Sequence, residues 1–183
     1  MERDVLGRIS KHLVAREPAP RGLRLAAVSI IIRDREAPKV LLIKRAERAG
    51  DPWSGQIALP GGKKREGDAT AKDTAIRETN EEVGIDLGKS ATFLGYASVT
   101  TTHTGTMDVV PSVFILDRNV KTSPNEEVAS YLWADLVTIL SPEARTTHRF
   151  EYGGEGVEMP AYAVGDYVVW GLTQRILSSV LAD

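Results

Sequence analysis

Residues 60–86 read Pro60-Gly61-Gly62-Lys63-Lys64-Arg65-Glu66-Gly67-Asp68-Ala69-Thr70-Ala71-Lys72-Asp73-Thr74-Ala75-Ile76-Arg77-Glu78-Thr79-Asn80-Glu81-Glu82-Val83-Gly84-Ile85-Asp86. Three carboxylates, Glu78, Glu81 and Glu82, stand at i, i+3 and i+4. On an α-helix these positions share one face, within an arc of about 100°. Ile76, Thr79 and Val83 fall on another side, suited to packing against a sheet. Thr70 is placed to cap the helix at its start, and Gly84 to stop it after Val83. Ahead of the helix, Pro60-Gly61-Gly62 lets the backbone approach a ligand or ion closely. By itself the acidic stripe reads as a solvated helix face. The glycine loop, the caps and the neighbouring Arg77 turn it into a candidate site. Like charges on one stripe repel, and a hard divalent cation with oxygen ligands offsets that repulsion.

The pattern extends in both directions. Val5, Leu6, Ile9 and Leu13 recur at helical spacing, predicting an amphipathic helix over about 3–16 that Pro18 and Pro20 end. Residues 25–32 are rich in β-branched side chains and predict a strand, with 40–43 as its antiparallel partner across a polar turn. Residues 93–99 and 109–116 predict two more strands, joined by the polar stretch 100–105. Tyr131-Leu132-Trp133 predicts a short strand, followed by a helix over 134–140. Residues 145–160, rich in charge and glycine, predict a loop or hairpin. A closing helix is expected over about 166–181, with Trp170, Ile176, Leu177, Val180 and Leu181 as its apolar set. Strands alternating with helices imply an α/β protein, a sheet covered by helices. With no repeat or linker in view, 1–183 reads as a single domain.

The central segment resembles the Nudix box of Nudix hydrolases. That box runs Gly, five residues, Glu, seven residues, Arg-Glu, an apolar residue, any residue, Glu-Glu, any residue, Gly and an apolar residue. Gly62 opens it here, and Arg77-Glu78, Glu81-Glu82, Gly84 and Ile85 match. Asp68 stands where Glu is usual, separated from Arg77 by eight residues instead of seven, and Thr79 fills the apolar position. The extra residue is similar to the longer box of the coenzyme A pyrophosphatase-like branch. Leu41 to Arg45, Leu59 to Gly62, Glu127-Val128 and Trp170-Gly171-Leu172-Thr173 also look like that branch. Asp51, where the branch expects Arg, and Leu59, where it expects Phe, depart from it in ways that bear on substrate. The resemblance implies a Nudix α/β/α sandwich around a mixed β-sheet, and family members are often homodimers.

It also implies hydrolysis of a nucleoside diphosphate linked to another group. Divalent cations neutralise the phosphate oxygens and lower the pKa of bound water. On this resemblance Glu82 and Glu81 are the main metal ligands, with Glu78 nearby and the Gly62 carbonyl as a backbone donor. All the donors are oxygens, so the expected metal is Mg²⁺ or Mn²⁺, magnesium or manganese. Arg77 is expected to hold a glutamate by a bidentate pair. The general base is Glu78, or Glu127 or its neighbour Glu126 from the turn before a strand; that turn reads equally as solvated. Asp68 is expected to support the loop or reach the metal through water. Arg45, at a strand end, either meets a phosphate or is merely exposed. Gly61 is expected beside the substrate. Trp53 either stacks on a base or packs locally. His103 reads better as an exposed loop residue than as a substrate contact, and His12 and His148 carry no assigned role.

The chain of 183 residues has 42% hydrophobic and 26% charged residues, ordinary for a globular protein. A net charge of −2 gives no reason to expect a nucleic-acid partner. No run of about 18 apolar residues predicts a membrane span. Met1-Glu2-Arg3-Asp4 is too charged for a signal peptide. There are no cysteines, hence no disulfide, thiolate site or thiol nucleophile, and a cytoplasmic setting fits. Three functions compete. The first is a hydrolase of a substrate such as coenzyme A, ADP-ribose, NADH, a dinucleoside polyphosphate or a nucleoside triphosphate. The second is a nucleotide-sensing module without turnover, against which the intact Arg77-Glu78 and Glu81-Glu82 argue. The third is the isomerase branch of the fold, whose cysteine has no counterpart here.

Overall fold

The computed structural model describes residues 4–21, 24–51, 53–152 and 154–182. Its centre is a parallel pair, β1 (Leu25–Arg33) beside β7 (Asp108–Leu116), in register from Leu25↔Asp108 to Ile32↔Ile115. Both strands are buried on both faces, as near-continuous apolar runs require. Antiparallel partners extend the sheet. β2 (Lys39–Arg45) pairs with β1, and β3 (Ile57–Ala58) and β8 (Val128–Asp135) pair with β2. β4 (Gly61–Lys63) pairs with the start of β1. On the other side β5 (Ala91–Tyr96) and β6 (Thr100–Thr101) pair with β7. One parallel pairing among antiparallel ones makes the sheet mixed, as expected.

The period of two along β1 sorts its side chains between two cores. Ala27 and Ile31 face α2 (Ala71–Val83), joining Leu41, Ala75, Val83 and Phe114. Ala26, Ile30 and Ile32 face the other way, towards Val5 and Ile9 of α1 (Val5–Lys11) and Ile176, Leu177 and Val180 of α5 (Gly171–Val180). Helices on both faces give the α/β/α arrangement. A short helix, α3 (Leu87–Ser90), links α2 to β5, and α4 (Leu136–Leu140) follows β8.

Several expectations are corrected. The N-terminal helix ends at Lys11, not near residue 16, because the Val14 backbone exchanges two hydrogen bonds of 2.9 Å with Tyr96. Residue 3 of the expected helix lies outside the described residues. Ala134 and Asp135 belong to β8, held by pairing to Val40 and Lys39, and Asp135 then caps α4. Thr100 and Thr101 are strand, because their backbone pairs with β7. The closing helix starts at Gly171, since 167–170 are taken by a second sheet; Trp170 therefore precedes the helix. That sheet is a three-stranded antiparallel unit, β9 (Arg145–Tyr152), β10 (Glu155–Val164) and β11 (Tyr167–Trp170). The 145–160 stretch is thus a hairpin.

Candidate active site

The acidic helix forms as its sequence dictates. The Thr70 hydroxyl accepts from the Asp73 N–H at 3.2 Å while Asp73 accepts from the Thr70 N–H at 2.9 Å, a reciprocal capping box. Gly84 closes the other end with φ 69°, a left-handed conformation that suits glycine. Thr79, in the position where the box is usually apolar, is fully buried, and its hydroxyl donates to Ser29 Oγ at 2.8 Å. Ser29 Oγ donates in turn to the Ala75 carbonyl at 3.1 Å. A buried hydroxyl pair joins helix to sheet, on the side expected to pack there, and its polar atoms are satisfied.

Gly61 and Gly62 run antiparallel to β1 beneath this helix. A Cβ on Gly61 would run into the Ala27 carbonyl and stand 2.6 Å from Val28 Cα. A Cβ on Gly62 would lie 2.5 Å from Glu78 Cδ. The glycines thus let the helix carboxylates sit directly on the strand. Glu82, only 7% exposed, accepts the Gly61 N–H at 2.8 Å. Burial pushes its carboxyl up to about 7; the Gly61 N–H opposes this, the Glu78 and Glu127 charges add to it, and Arg45 opposes it. Gly61 was expected beside substrate. It does line the adjoining cleft, but its N–H is committed to Glu82.

Arg77 lies at the centre of a network. Its Nε and Nη2 donate to the two oxygens of Asp68 at 3.0 and 2.8 Å, and Nη2 also donates to the Lys63 carbonyl at 3.0 Å. Its Nη1 donates to Glu78 at 2.7 Å and, more weakly, to Glu81 at 3.4 Å. The bidentate partner is therefore Asp68, where a glutamate was expected. Asp68 also accepts from the Arg65 N–H and the Thr74 hydroxyl. The Arg77 guanidinium, with those bonds, holds the Asp68 carboxyl well below the ordinary carboxylate range. Glu81 is gripped by Arg65 at 2.9 and 3.1 Å. The Lys63-Lys64-Arg65 run before the helix was the sequence signal for this partner.

Glu127 reaches the same region from another element. Ser123 and Asn125 donate backbone N–H groups to the Val83 and Glu82 carbonyls, each at 2.8 Å, which docks the 123–127 turn on the end of α2. Asn125 Oδ1 accepts the Glu127 N–H, and Glu127 lies 3.6 Å from Arg48. Glu126 is exposed.

The donors fit a hard divalent cation. Glu78, Glu81, Glu82 and the Gly62 carbonyl all offer oxygen atoms, and the missing Gly62 Cβ leaves room for Glu78 against the strand. Among the described residues no three acidic or histidine side chains already converge as a cage. Glu78 and Glu81 are turned to Arg77 and Arg65, so coordination requires these carboxylates to rotate.

Beside the carboxylates opens a cleft of ≈ 540 Å³. Arg45 and Trp53 line it, and so does the exposed His103. Trp53 stacks on Phe150 with ring centroids 5.5 Å apart, Phe150 lies 4.8 Å from Trp170, and Trp170 stacks on His148 at 4.3 Å. The whole Trp170-Gly171-Leu172-Thr173 segment lines the cleft. Phe150, Met159 and Arg175 were not singled out from the sequence. The second sheet brings in Phe150 on β9 and Met159 on β10, and α5 brings in Arg175. Leu59 lines the cleft and is also buried in the core. Asp51 does not line it; its carboxylate accepts from Arg45 Nη2 and from the Trp53 N–H. His12 bonds the Ala182 carbonyl, far in sequence from this region.

Comparison with known proteins accords with this geometry. The NUDIX domain matches residues 23–151. Nudix hydrolase 22 of Arabidopsis thaliana, named as chloroplastic, is 37% identical over 146 residues, which are 76% of this chain and 47% of that protein. The chain thus spans about half the length of that relative. The mitochondrial coenzyme A diphosphatase NUDT8 of Mus musculus is 28% identical over 176 residues, covering 93% of this chain and 84% of that protein. Among solved structures, a MutT/nudix family protein from Enterococcus faecalis superposes with a TM-score of 0.58 at 19% identity, over 90% of this chain and 63% of that one, a likeness of fold. An acidic helix seated on paired glycines, within a domain matched over 23–151, identifies this chain as a member of the Nudix family.

Proposed function

We propose that this chain hydrolyses the diphosphate bond of a nucleoside diphosphate derivative with Mg²⁺ or Mn²⁺. The observation that carries this reading is the seating of Glu78 on Gly62, with Glu82 bound to Gly61 and Glu81 on the same helical stripe. In this reading Glu81, Glu82, Glu78 and the Gly62 carbonyl hold the metal, which supplies charge neutralisation of the phosphates and a more acidic water. Water adds across one P–O–P linkage: its oxygen bonds to one phosphorus, the bridging P–O bond breaks, and two phosphate monoesters leave. Glu78 or Glu127 accepts the proton of the attacking water. Arg77, fixed by Asp68, holds Glu78 by a hydrogen bond of 2.7 Å. Arg45 contacts substrate phosphate, and the cleft bounded by Trp53 takes the group beyond the diphosphate.

Coenzyme A-like compounds, ADP-ribose and related nucleotides are the substrates to try, the first because of the likeness to a coenzyme A diphosphatase. The wall of the cleft contributed by Met159 and 170–176 lies outside the matched 23–151 range. The reading takes 1–183 as one domain in a cytoplasmic enzyme, with no nucleic-acid or membrane partner, on the strength of its −2 charge and lack of cysteine. No helix among the described residues is long and apolar enough to cross a membrane. The test is a panel of these nucleotides with Mg²⁺ and with Mn²⁺, products identified by mass. Paired phosphate monoesters appearing only with metal support the reading. Intact substrates throughout, with nucleotide binding retained, would favour a sensing module.

A further inference from the structure

Asp51 joins two parts of the cleft mouth through one carboxylate. Oδ2 accepts from Arg45 Nη2 at 2.8 Å and Oδ1 accepts from the Trp53 N–H at 2.9 Å. Arg45 ends β2 at a register shift, where its own N–H bonds to the Gln56 carbonyl. Its side chain lines the cleft, and its charge is felt by Glu82. Among the described residues lining the cleft, the charged groups are Arg45, Lys63 and Arg175, and no carboxylate lines it. Asp51 is therefore an acid set just behind a cationic cleft. The Arg45 guanidinium that faces an incoming anion is already half of an ion pair. The pair is partly open to water, with side chains 44% and 25% exposed, so its influence on substrate is modest and depends on salt.

Resting on the hydrolase reading above, we infer that Asp51 is a specificity-determining positioning residue. By masking Arg45 it disfavours nucleoside diphosphate derivatives that carry an additional phosphate monoester, and favours those that lack one. A paired guanidinium keeps N–H groups for a diphosphate oxygen but offers little net charge to a second dianion. Unmasking it restores a full positive charge at the mouth. The Trp53 contact is separable. Asparagine keeps an acceptor for the Trp53 N–H, yet its amide brings no charge to Arg45.

The experiment uses substrate pairs that differ by a single phosphate monoester: coenzyme A against 3′-dephospho-coenzyme A, and NADPH against NADH. The ratio of kcat/KM within each pair is measured for the wild type, Asp51→Asn, Arg45→Gln and the double variant at low salt. In parallel, the ratio of Kd is measured by calorimetry in chelator. Asp51→Asn is expected to shift both ratios about three- to fivefold towards the phosphorylated member, carried by KM with kcat little changed. Arg45→Gln should shift them the other way, and Asp51→Asn should add nothing in the Arg45→Gln background. Unchanged ratios in Asp51→Asn, a shift against the phosphorylated member, or the same shift without Arg45 would overturn the inference. A wild type that hydrolyses no member of either pair or of the wider panel sinks the hydrolase reading instead. In that case the Kd ratios still decide the role of Asp51.

Discussion

Asp68 holds Arg77 with both carboxylate oxygens, at 3.0 and 2.8 Å, and Arg77 in turn holds Glu78 at 2.7 Å. A residue nine positions before the arginine thus governs where a carboxylate on the helix sits. Asp68 is nearly buried and Arg77 partly so, and severing such a pair leaves an uncompensated charge. We expect Asp68→Ala to cost ~2 kcal/mol of stability, below the full buried-pair value because Arg77 keeps some access to water. The loss of kcat should exceed what reduced folding explains. Urea unfolding and steady-state kinetics check this, and unchanged kcat would remove Asp68 from the site.

The same pair sets an acid limit. The Asp68 carboxyl is held below its ordinary value of 3.8, so its stabilisation is complete above that pH and is lost as pH falls through and below it. Asp68→Asn should be less stable than wild type at neutral pH, and the difference should narrow below about pH 4. Thermal unfolding from pH 7 to pH 3 measures it. A gap that stays constant with pH would show that the charge of Asp68 does not contribute.

Glu82→Gln and Glu81→Gln should abolish metal-dependent turnover while leaving the fold in place. Each keeps shape and removes charge. For Glu82 there is a second readout, because its burial beside Glu78 and Glu127 is costly without a cation. The wild type should gain ~5 °C or more in Tm at metal concentrations near 100 times Kd. Glu82→Gln should lose most of that gain and be no less stable than wild type in chelator. Wild-type rates in both variants, or full turnover in chelator, would defeat the metal assignment.

Glu78 and Glu127 are separated by kcat. Glu78, enclosed between Gly62 and Arg77, is expected to lose ~10²-fold or more as Glu78→Gln if it is the base or an essential ligand. Glu127, half exposed and 3.6 Å from Arg48, should lose as much only if its turn supplies the base. Losses under tenfold in both would mean that neither takes the proton.

The paired glycines should fail differently. Gly62→Ala meets the end of the Glu78 side chain, which can swing aside, so kcat should fall at least ~10-fold with Tm little changed. Gly61→Ala meets the Ala27 and Val28 backbone, which cannot, so it should lose ~2 kcal/mol or more of stability. Equal Tm losses in the two would contradict this geometry.

The acidic helix was legible in the sequence because everything that makes it is local. The Thr70 cap, the i, i+3, i+4 carboxylates and the Gly84 stop act within a few turns of chain, and the structure returns them at 71–83. The central strands were legible for a similar reason, since runs such as 25–33 and 108–116 are apolar enough to be buried on both faces. Contacts between distant residues decided the rest. The Asp68 grip on Arg77 depends on how the loop folds back, and the approach of Glu127 depends on the 123–127 turn bonding the last carbonyls of α2. The aromatic wall depends on a hairpin from 145–164 laying Phe150 against Trp53, two residues that share no sequence period. Hydrophobic periodicity specifies which face of an element is buried, but not which distant element buries it. The sequence by itself therefore determined the carboxylate stripe and the family resemblance. Only the tertiary structure decided which residues hold that stripe in place and what lines the cleft beside it.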